Sequence, residues 1–311
     1  MMANDLLSTL TPPKLPGPSH DTNDVLLRDI VSLSHADYDT ATHVIIGCPQ
    51  DIGVTRNHGR PGAAESPKAI RQFFYKLKPA TLSDDIRIVD LGDIDVTGEL
   101  ETIHDRQEAL ATAILKDGKI VISLGGGNDI SLPDASAVHT VHPDYAAINM
   151  DAHLDMRTSD QRHSGTPYRN LIDSHKLAPA NFHEVGIQTW ANSPRYLEEA
   201  RQMGVNIHTL QEINTLGSHT FFTDLFARIE GTPLFAGLDM DSVRASDAPG
   251  VSASCPVGFS ADEVLDFADR CRTHCATALF EITEVNPTFD IDGRTARLAA
   301  LTLYAFIYGN Q

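Results

Sequence analysis

Positive charge is scarce in this sequence of 311 residues. Its 24 lysines and arginines stand against 42 aspartates and glutamates, which gives a formal net charge of −18. So acidic a chain is a poor match for nucleic acid or for an anionic membrane surface, both of which attract basic patches. The longest apolar run, Leu298 to Tyr308, is too short to cross a bilayer. We therefore expect neither a nucleic-acid partner nor a membrane.

Cysteine is also scarce, and no two of the four cysteines form a C-x-x-C pair. We expect reduced thiols in a cytoplasmic protein. Cys271, His274 and Cys275 could bind zinc, but no fourth ligand is evident and we do not favour that site. The N-terminus shows neither the basic nor the apolar region of a signal peptide.

No linker rich in proline, serine or glycine divides the interior of the chain. Residues 1–40 are polar, with prolines between Thr11 and Ser19, and we expect a partly ordered N-terminal extension. Residues 41–311 can form one domain around one large core. Within them, short apolar segments alternate with helical segments. This pattern predicts a three-layer αβα fold of class α/β, with a parallel sheet of about eight strands.

Potential metal ligands follow the apolar strand predicted from Tyr145 to Met150. Asp151, His153 and Asp155 occur at alternate positions, and alternate residues of an extended chain point to the same side. We therefore expect the three side chains to converge. Two carboxylates and one imidazole suit a divalent metal such as Mn²⁺, Fe²⁺, Ni²⁺ or Zn²⁺.

Two further strands end in polar residues of the same kind. Asp239 and Asp241 follow the apolar segment from Thr232 to Leu238, and Asn128 follows three glycines after a third strand. Sites in open parallel sheets form beyond the carboxyl ends of the strands, so these side chains should meet. Four carboxylates in one place repel one another unless cations neutralise them. The sequence therefore predicts a site for two metal ions.

These motifs resemble those of the ureohydrolases, the family that includes arginase, agmatinase and formimidoylglutamase. The strings GGGND, NMDAHLDMR, GLDMDSVRASDAPG and EVNP occur in the family's order between about Val44 and the C-terminus. The loop from Asp51 to Ala63 and the string RHSGTPY are closest to formimidoylglutamase. The resemblance implies an arginase-like fold and assembly as a homo-oligomer, a trimer or a hexamer.

The resemblance also implies two Mn²⁺ ions bridged by Asp151 and Asp239. The family pattern has histidine where this chain has Asn128, and an amide is a poorer ligand than imidazole for transition metals. We therefore expect the metal to bind more weakly on the Asn128 side. The implied ligands are Asp151, Asp239, His153 and Asp241 for one centre, with Asp155 and Asn128 completing the other.

The resemblance implies catalytic roles for His163, Glu284 and Asp155. His163 would protonate the departing amine, and Glu284 would hold the cationic nitrogen of the substrate. Asp155 is expected to be both a catalytic residue and a metal ligand. Glu281 competes with Glu284, but residues three apart in a strand face opposite sides, and the EVNP string favours Glu284.

The basic residues of the predicted rim favour an acidic substrate. Arg157, Arg56, Asn57 and Arg60 could bind a carboxylate. Formimidoylglutamate carries two carboxylates, whereas agmatine carries none. We therefore expect hydrolysis of N-formimidoyl-L-glutamate to L-glutamate and formamide, a step of histidine degradation, by water that the metals activate. The motifs do not explain Arg244, which stands where many relatives have an acidic or small residue.

Other functions remain open at this stage. The chain could be another amidinohydrolase that acts on agmatine, arginine or a guanidino acid. It could also be a catalytically silent family member with an assembly or regulatory role, which Asn128 would favour. A one-metal deacetylase could use Asp151, His153 and Asp239, but it would leave Glu284 unexplained.

Overall fold

A parallel sheet of eight strands forms the centre of the computed structural model, which describes residues 9–14, 17, 23–83, 85–274 and 276–309. The strands are β1 (His43–Gly47), β2 (Ile88–Asp93), β3 (Ile120–Leu124), β4 (Ala146–Met150), β5 (Phe182–Ile187), β6 (Asn206–Thr209), β7 (Leu234–Asp239) and β8 (Thr277–Thr283). Their order across the sheet is β2-β1-β3-β8-β7-β4-β5-β6, and every neighbouring pair is parallel.

Helices connect the strands. In the described part of the chain, the α-helices are α1 (Leu27–Ile30), α2 (Ile52–Arg56), α3 (Ser66–Phe74), α4 (Leu100–Lys116), α5 (Ser131–Val141), α6 (Pro167–Asp173), α7 (Pro194–Met203), α8 (Leu210–Leu216), α9 (Ser218–Arg228), α10 (Ala261–Thr273) and α11 (Arg294–Tyr308). Short 3-10 helices span His35–Thr40, Ala63–Glu65, Asn128–Ile130, Pro179–Asn181, Met240–Ser242 and Pro287–Phe289.

The core consists of two apolar layers, one on each face of the sheet. Helices α3, α8, α9, α10 and α11 pack on one face, where Ile122 and Phe280 point. Helices α4, α5, α6 and α7 pack on the other face, where Val121 and Leu279 point. Successive strand residues point to opposite faces, so a strand covered on both sides must be largely apolar. The predicted three-layer αβα fold with eight parallel strands is confirmed.

The described part of the N-terminal segment packs against the β2 edge of the sheet. Leu27, Val31 and Tyr38 are buried in the two core layers. Thr11 forms an antiparallel bridge with Asp93 in β2. This segment therefore covers backbone groups that an edge strand would otherwise expose.

The described cysteines are reduced. Cys48 and Cys271 are buried free thiols, and Cys255 is a half-buried free thiol. The possible zinc site at Cys271, His274 and Cys275 cannot be traced, because Cys275 lies outside the described residues. His274 Nε2 lies 2.8 Å from the carbonyl oxygen of Thr232.

None of the described helices combines the length and the apolar character that spanning a membrane requires.

Candidate metal centre and active site

Four neighbouring strands at the middle of the sheet bring the candidate residues together. These strands are β3, β8, β7 and β4, and all four run in the same direction. Asn128 follows β3, Glu284 follows β8, Asp239 ends β7 and Asp151 follows β4. The carboxyl ends of parallel strands share one edge, which is why residues far apart in the sequence lie side by side here.

The acidic side chains form two overlapping groups that could each hold a metal ion. One group is Asp151, His153 and Asp241, and the other is Asp151, Asp155 and Asp239; within each, the ligand atoms lie within 4.8 Å of one another. His153 Nδ1 lies 3.4 Å from Asp151 Oδ1 and 3.2 Å from Asp241 Oδ2. Asp241 Oδ1 is buried and has no hydrogen-bond partner among the described residues. Oxygens left bare in this way fit a pair of divalent cations.

The loop after β4 converges for a different reason than the one predicted from alternation. Residues 151–155 are irregular, with a bend at residues 152 and 153, rather than extended strand, and Asp155 has a positive φ of 45°. Asn192 fixes the loop, because its Oδ1 accepts from the Leu154 N–H at 2.8 Å and its Nδ2 donates to the Ala152 carbonyl at 2.8 Å. The backbone turn at Asp155, not the period of a strand, points its carboxylate at the cluster.

Buried carboxylates dominate the electrostatics of the cluster. Burial, followed by repulsion from the neighbouring carboxylates, raises the pKa values of Asp155 and Asp239 well above their ordinary range. The pKa of His153 is raised chiefly by the charge of Asp241, against the opposing effect of burial. Divalent cations bound here would offset the repulsion between these carboxylates.

Asn128 lies at the bottom of the cluster and is buried. Its Nδ2 donates to Asp155 Oδ2 at 2.6 Å and to Asp151 Oδ2 at 3.2 Å. Its Oδ1 accepts from the hydroxyl groups of Ser131 at 2.9 Å and Thr283 at 3.2 Å. The side chain is therefore in contact with two of the predicted metal ligands, Asp155 and Asp151.

Glu284 lines the same cavity and holds a strained backbone conformation, with φ at 61°. Its Oε1 accepts from the Asn128 N–H at 3.1 Å, whereas the buried Oε2 has no partner among the described residues. Burial, followed by the charge of Asp241, raises its pKa well above the ordinary range. Glu281 lies on the face of the sheet covered by α5 and contacts Ser131 there. Of these two glutamates, Glu284 is thus the one that faces the cavity.

A cavity of about 1060 Å³ opens above the cluster. Arg157 is on its exposed rim, where its Nη1 lies 3.4 Å from Asn57 Oδ1 and where Asn57 Nδ2 donates to Ser164 at 3.0 Å. The other two predicted arginines also line the cavity, but protein groups already engage them. Arg56 Nη1 binds Glu101 at 2.7 Å. Arg60 donates to the carbonyl oxygens of Val251 at 2.7 Å and Ser252 at 2.9 Å and stacks 4.1 Å from the Phe289 ring centre.

His163 lies in the wall of the cavity and is 9% exposed. Its Nδ1 is 3.1 Å from the Gly165 N–H, which donates to it, so the proton of the neutral ring is on Nε2. Burial, followed by the charge of Arg157, lowers its pKa. Arg244, which the motifs did not explain, is not among the described residues that line the cavity and forms an ion pair with Asp247 at 2.9 Å.

Sequence reasoning missed several polar residues beneath the cluster. Asn149 Nδ2 donates to Asp151 Oδ2 at 3.2 Å and to Glu184 Oε2 at 3.1 Å. Asn149 and Glu184 are fully buried within apolar strands, as is Glu281. A polar residue inside a strand that is apolar on both faces was the available signal, because its burial requires a specific partner.

Known proteins resemble this chain over most of its length. A sequence model described as the arginase family matches residues 41–308. The formimidoylglutamase of Aromatoleum aromaticum is 33% identical over 277 residues, which cover 83% of this chain and 80% of that protein.

Solved structures agree with this assignment. A formiminoglutamase of Trypanosoma cruzi, solved with a pair of Mn²⁺ ions, has a TM-score of 0.85 and 32% identity over 92% of this chain and 98% of that one. The formimidoylglutamase of Bacillus subtilis has a TM-score of 0.87 and 28% identity over 94% of each chain. Sequence, fold and the arrangement of the acidic cluster thus lead to one assignment, which is that this chain belongs to the arginase family.

Proposed function

We propose that this protein hydrolyses N-formimidoyl-L-glutamate to L-glutamate and formamide with a pair of Mn²⁺ ions. The observation that carries the proposal is the opposite polarity of the two ends of the cavity. A carboxylate cluster around Asp151 and Asp239 forms its base, and Arg157 beside Asn57 forms part of its rim. Formimidoylglutamate has a formimidoyl group at one end and two carboxylates at the other. The relatives that carry the names formimidoylglutamase and formiminoglutamase support the same substrate.

The side chains that would hold the metals are the six expected ligands. Four of them are carboxylates at the base of the cavity. Asp151 belongs to both groups, as a bridging ligand must, whereas Asp239 belongs to one. When bound, the two ions would supply an activated water for attack on the C=N carbon. On the other side of the cluster Asn128 replaces an imidazole, and we propose that the ion on this side binds more weakly.

Glu284 would bind the nitrogen of the formimidoyl group. Its Oε2 is buried, faces the cavity and has no partner among the described residues, so it can accept from an N–H of the substrate. The backbone N–H of Asn128 holds the other oxygen, which fixes the orientation of the carboxylate. A cationic nitrogen beside Glu284 would favour ionisation of the Glu284 carboxyl, whose pKa burial raises.

Arg157 and His163 would act at the glutamate end of the substrate. Arg157 would bind a carboxylate with Asn57, because the other predicted arginines already bind protein groups. His163 lines the same wall and would transfer a proton to the glutamate nitrogen as the bond between that nitrogen and the formimidoyl carbon breaks. Its lowered pKa keeps the resting ring neutral at pH 7, so that it can take up a proton before it donates one.

A substrate comparison on the Mn²⁺-saturated protein tests the proposal. Formimidoylglutamate, arginine, agmatine and a guanidino acid are supplied separately, and formamide, urea and glutamate are measured. We expect formimidoylglutamate to give equal amounts of formamide and glutamate. Urea as the dominant product would assign another amidinohydrolase activity. A folded, metal-loaded protein that leaves all four compounds unchanged would be the silent family member.

We also propose that the protein acts in histidine degradation as a cytoplasmic homo-oligomer, a trimer or a hexamer. The free thiols of Cys48, Cys255 and Cys271 are compatible with a reducing compartment. Light scattering on the purified protein tests the assembly, and a monomeric mass would contradict it. Cell fractionation tests the location.

A further inference from the structure

A buried chain of polar side chains leads from the candidate metal cluster into the layer between the sheet and α5. It runs from Asn128 through Ser131 and Glu281 to Asp134, and each of these residues is at most 1% exposed. Ser131 Oγ lies 2.9 Å from Asn128 Oδ1 and 2.6 Å from Glu281 Oε1. Asp134 is hydrogen-bonded to Glu281 and accepts from Gln107 at 2.9 Å. Only Asn128 among these residues reaches the cluster itself.

The number of protons in this chain is limited. The Ser131 hydroxyl has one hydrogen, but its oxygen lies at hydrogen-bond distance from two other oxygens, Asn128 Oδ1 and Glu281 Oε1. It can donate to only one of them. Asp134 Oδ2 and Glu281 Oε2 are both buried without another partner among the described residues. One shared proton between these two oxygens satisfies both, and it leaves Glu281 Oε1 without a proton. Glu281 Oε1 must then accept the hydrogen of Ser131.

The surroundings of the Asp134–Glu281 pair favour one retained proton. Burial raises the pKa of Glu281 well above its ordinary range, and repulsion from Asp134 adds to this. Burial likewise raises the pKa of Asp134. The other titratable groups that influence the pair or feel its charge are Asp129, His104, Tyr168 and Cys48, and none of them is a basic side chain in contact with Glu281. Tyr168 is hydrogen-bonded to Ser131, and Ser123 to Asp134, and both are neutral hydroxyls.

When the Ser131 hydroxyl donates its hydrogen to Glu281, its oxygen can act only as an acceptor in the contact with Asn128. The oxygen and the nitrogen of an amide exchange places by a half-turn about the Cβ–Cγ bond, with almost no change of shape. In the turned form, Asn128 Nδ2 donates to Ser131, and it also donates to Thr283, whose own hydroxyl can donate to the Leu238 carbonyl 3.4 Å away. Every group in the chain is then satisfied with a single shared proton.

The opposite orientation, with nitrogen facing Asp151 and Asp155, suits the cluster only while its carboxylates lack a cation. In this orientation the 2.9 Å contact between Ser131 Oγ and Asn128 Oδ1 is favourable only if Ser131 donates to Asn128, although Thr283 already donates to the same oxygen. Glu281 Oε1 then has no donor unless a second proton enters the pair.

We propose that Ser131, Glu281 and Asp134 are positioning residues that turn the amide oxygen of Asn128 toward Asp151 and Asp155 when a cation binds there. The three residues touch neither the substrate cavity nor the proposed ions. They compensate for the missing imidazole, because they supply an oxygen ligand where an unconstrained amide would present its N–H groups. This inference rests on the proposed Mn²⁺ pair but not on the identity of the substrate.

Calorimetric titration of the metal-free, full-length protein with Mn²⁺ tests this positioning role. Two binding steps are expected in the wild type. Ser131→Ala removes the acceptor for Asn128 Nδ2, so the weaker step should lose affinity by roughly 5- to 30-fold, the effect of one buried hydrogen bond. Glu281→Met should have the same effect, since Ser131 is then free to donate to Asn128. The tighter step should change by less than about threefold in both variants.

Two matched variants separate this role from a packing effect. Glu281→Gln keeps an oxygen toward Ser131 and places an N–H toward Asp134, so it should retain the weaker step. Ser136→Ala makes the same truncation in the same helix, at a buried hydroxyl without a partner among the described residues, and should also retain it.

The outcomes are distinguishable. If the wild type shows two binding steps while both Ser131→Ala and Glu281→Met keep or increase the Mn²⁺ affinity of the weaker step, the proposed Mn²⁺ pair stands. The positioning role is then overturned. Loss of affinity in Ser136→Ala to the same degree also overturns it. A wild-type protein that takes up no Mn²⁺ overturns the proposed metal site itself. Low-temperature electron paramagnetic resonance, which detects coupled Mn²⁺ pairs, provides a second readout that is independent of activity.

Discussion

Replacement of Arg157 by alanine tests how the cavity selects an acidic substrate. The side chain lies on the exposed rim, and its guanidinium is 3.4 Å from Asn57 Oδ1. Within the described part of the chain it forms no ion pair with an acidic residue, in contrast to Arg56, which binds Glu101 at 2.7 Å. We therefore expect Arg157→Ala to remove a charged group that binds the substrate carboxylate, while the groups at the base of the cavity stay in place.

The expected size of the effect follows from the exposure of this residue. A hydrogen bond to a charged group contributes about 1.5 to 3 kcal/mol, and solvent at an exposed rim reduces that contribution. A loss of about 1.4 kcal/mol corresponds to a tenfold change, so we expect KM to rise by roughly 5- to 30-fold. The value of kcat should change by less than about threefold, because Arg157 binds a part of the substrate that does not react.

Steady-state measurement of formamide release over a range of substrate concentrations checks this expectation. Arg157→Lys keeps the charge and should show an intermediate KM. Arg60→Ala is the matched control, because the Arg60 guanidinium already donates to two carbonyl oxygens and stacks on Phe289. That variant should lower the melting temperature, and its KM should stay close to the wild-type value.

The same variant has a consequence for pH dependence. The charge of Arg157 is the second cause, after burial, of the lowered pKa of His163. Its removal should move the apparent pKa assigned to His163 in the pH profile of kcat/KM to a higher value. The reasoning is refuted if Arg157→Ala lowers kcat at unchanged KM, or if Arg60→Ala and Arg157→Ala raise KM equally.

Three further expectations concern the base of the site. Glu284→Gln should lower kcat/KM by about 10²- to 10³-fold, as expected for the loss of a buried charge that faces the reacting group, with the bound Mn²⁺ content unchanged by metal analysis. The affinity for Mn²⁺ should fall as the pH falls, by up to roughly tenfold per pH unit for each proton displaced. The reason is that the charge of Asp241 raises the pKa of His153, and metal binding must remove the proton from that imidazole. Equal affinities at pH 6.5 and pH 8 would contradict this. Gly126→Ala should lower the free energy of unfolding by about 3 kcal/mol or more, since a Cβ there would lie 1.6 Å from the Gln50 carbonyl oxygen. Denaturant unfolding measures this, and an unfolding midpoint equal to that of the wild type would show that the loop can move aside.

The layers of the fold and the location of the site were predictable because they depend on patterns that the chain repeats. Strands covered on both faces must be largely apolar, and Ile120–Leu124 and Ala146–Met150 each contain a single polar residue. Polar residues directly after such strands then lie at one edge. The order of the strands was not predictable, because the pairing of β8 between β3 and β7 depends on contacts between segments far apart in the sequence.

The details of the site depended on partners that the sequence does not display. Arg56 and Arg60 look like available cations in the sequence, but Glu101 and the carbonyl oxygens of residues 251 and 252 engage them. The direction of Asp155 depends on a left-handed backbone turn rather than on strand alternation. The link between Asn128 and Glu281 through Ser131 exists only because β8 lies beside β3.

The left-handed conformations at Asp155 and Glu284 imply a trade-off between heat resistance and turnover. A side chain with a Cβ in such a conformation carries a free-energy cost of about 1 to 3 kcal/mol. Glycine at either position would remove this cost and, with it, the carboxylate that the chemistry requires. Selection of variants for a higher unfolding temperature alone would therefore enrich inactive proteins at these two positions, and a screen that includes turnover would retain both acids.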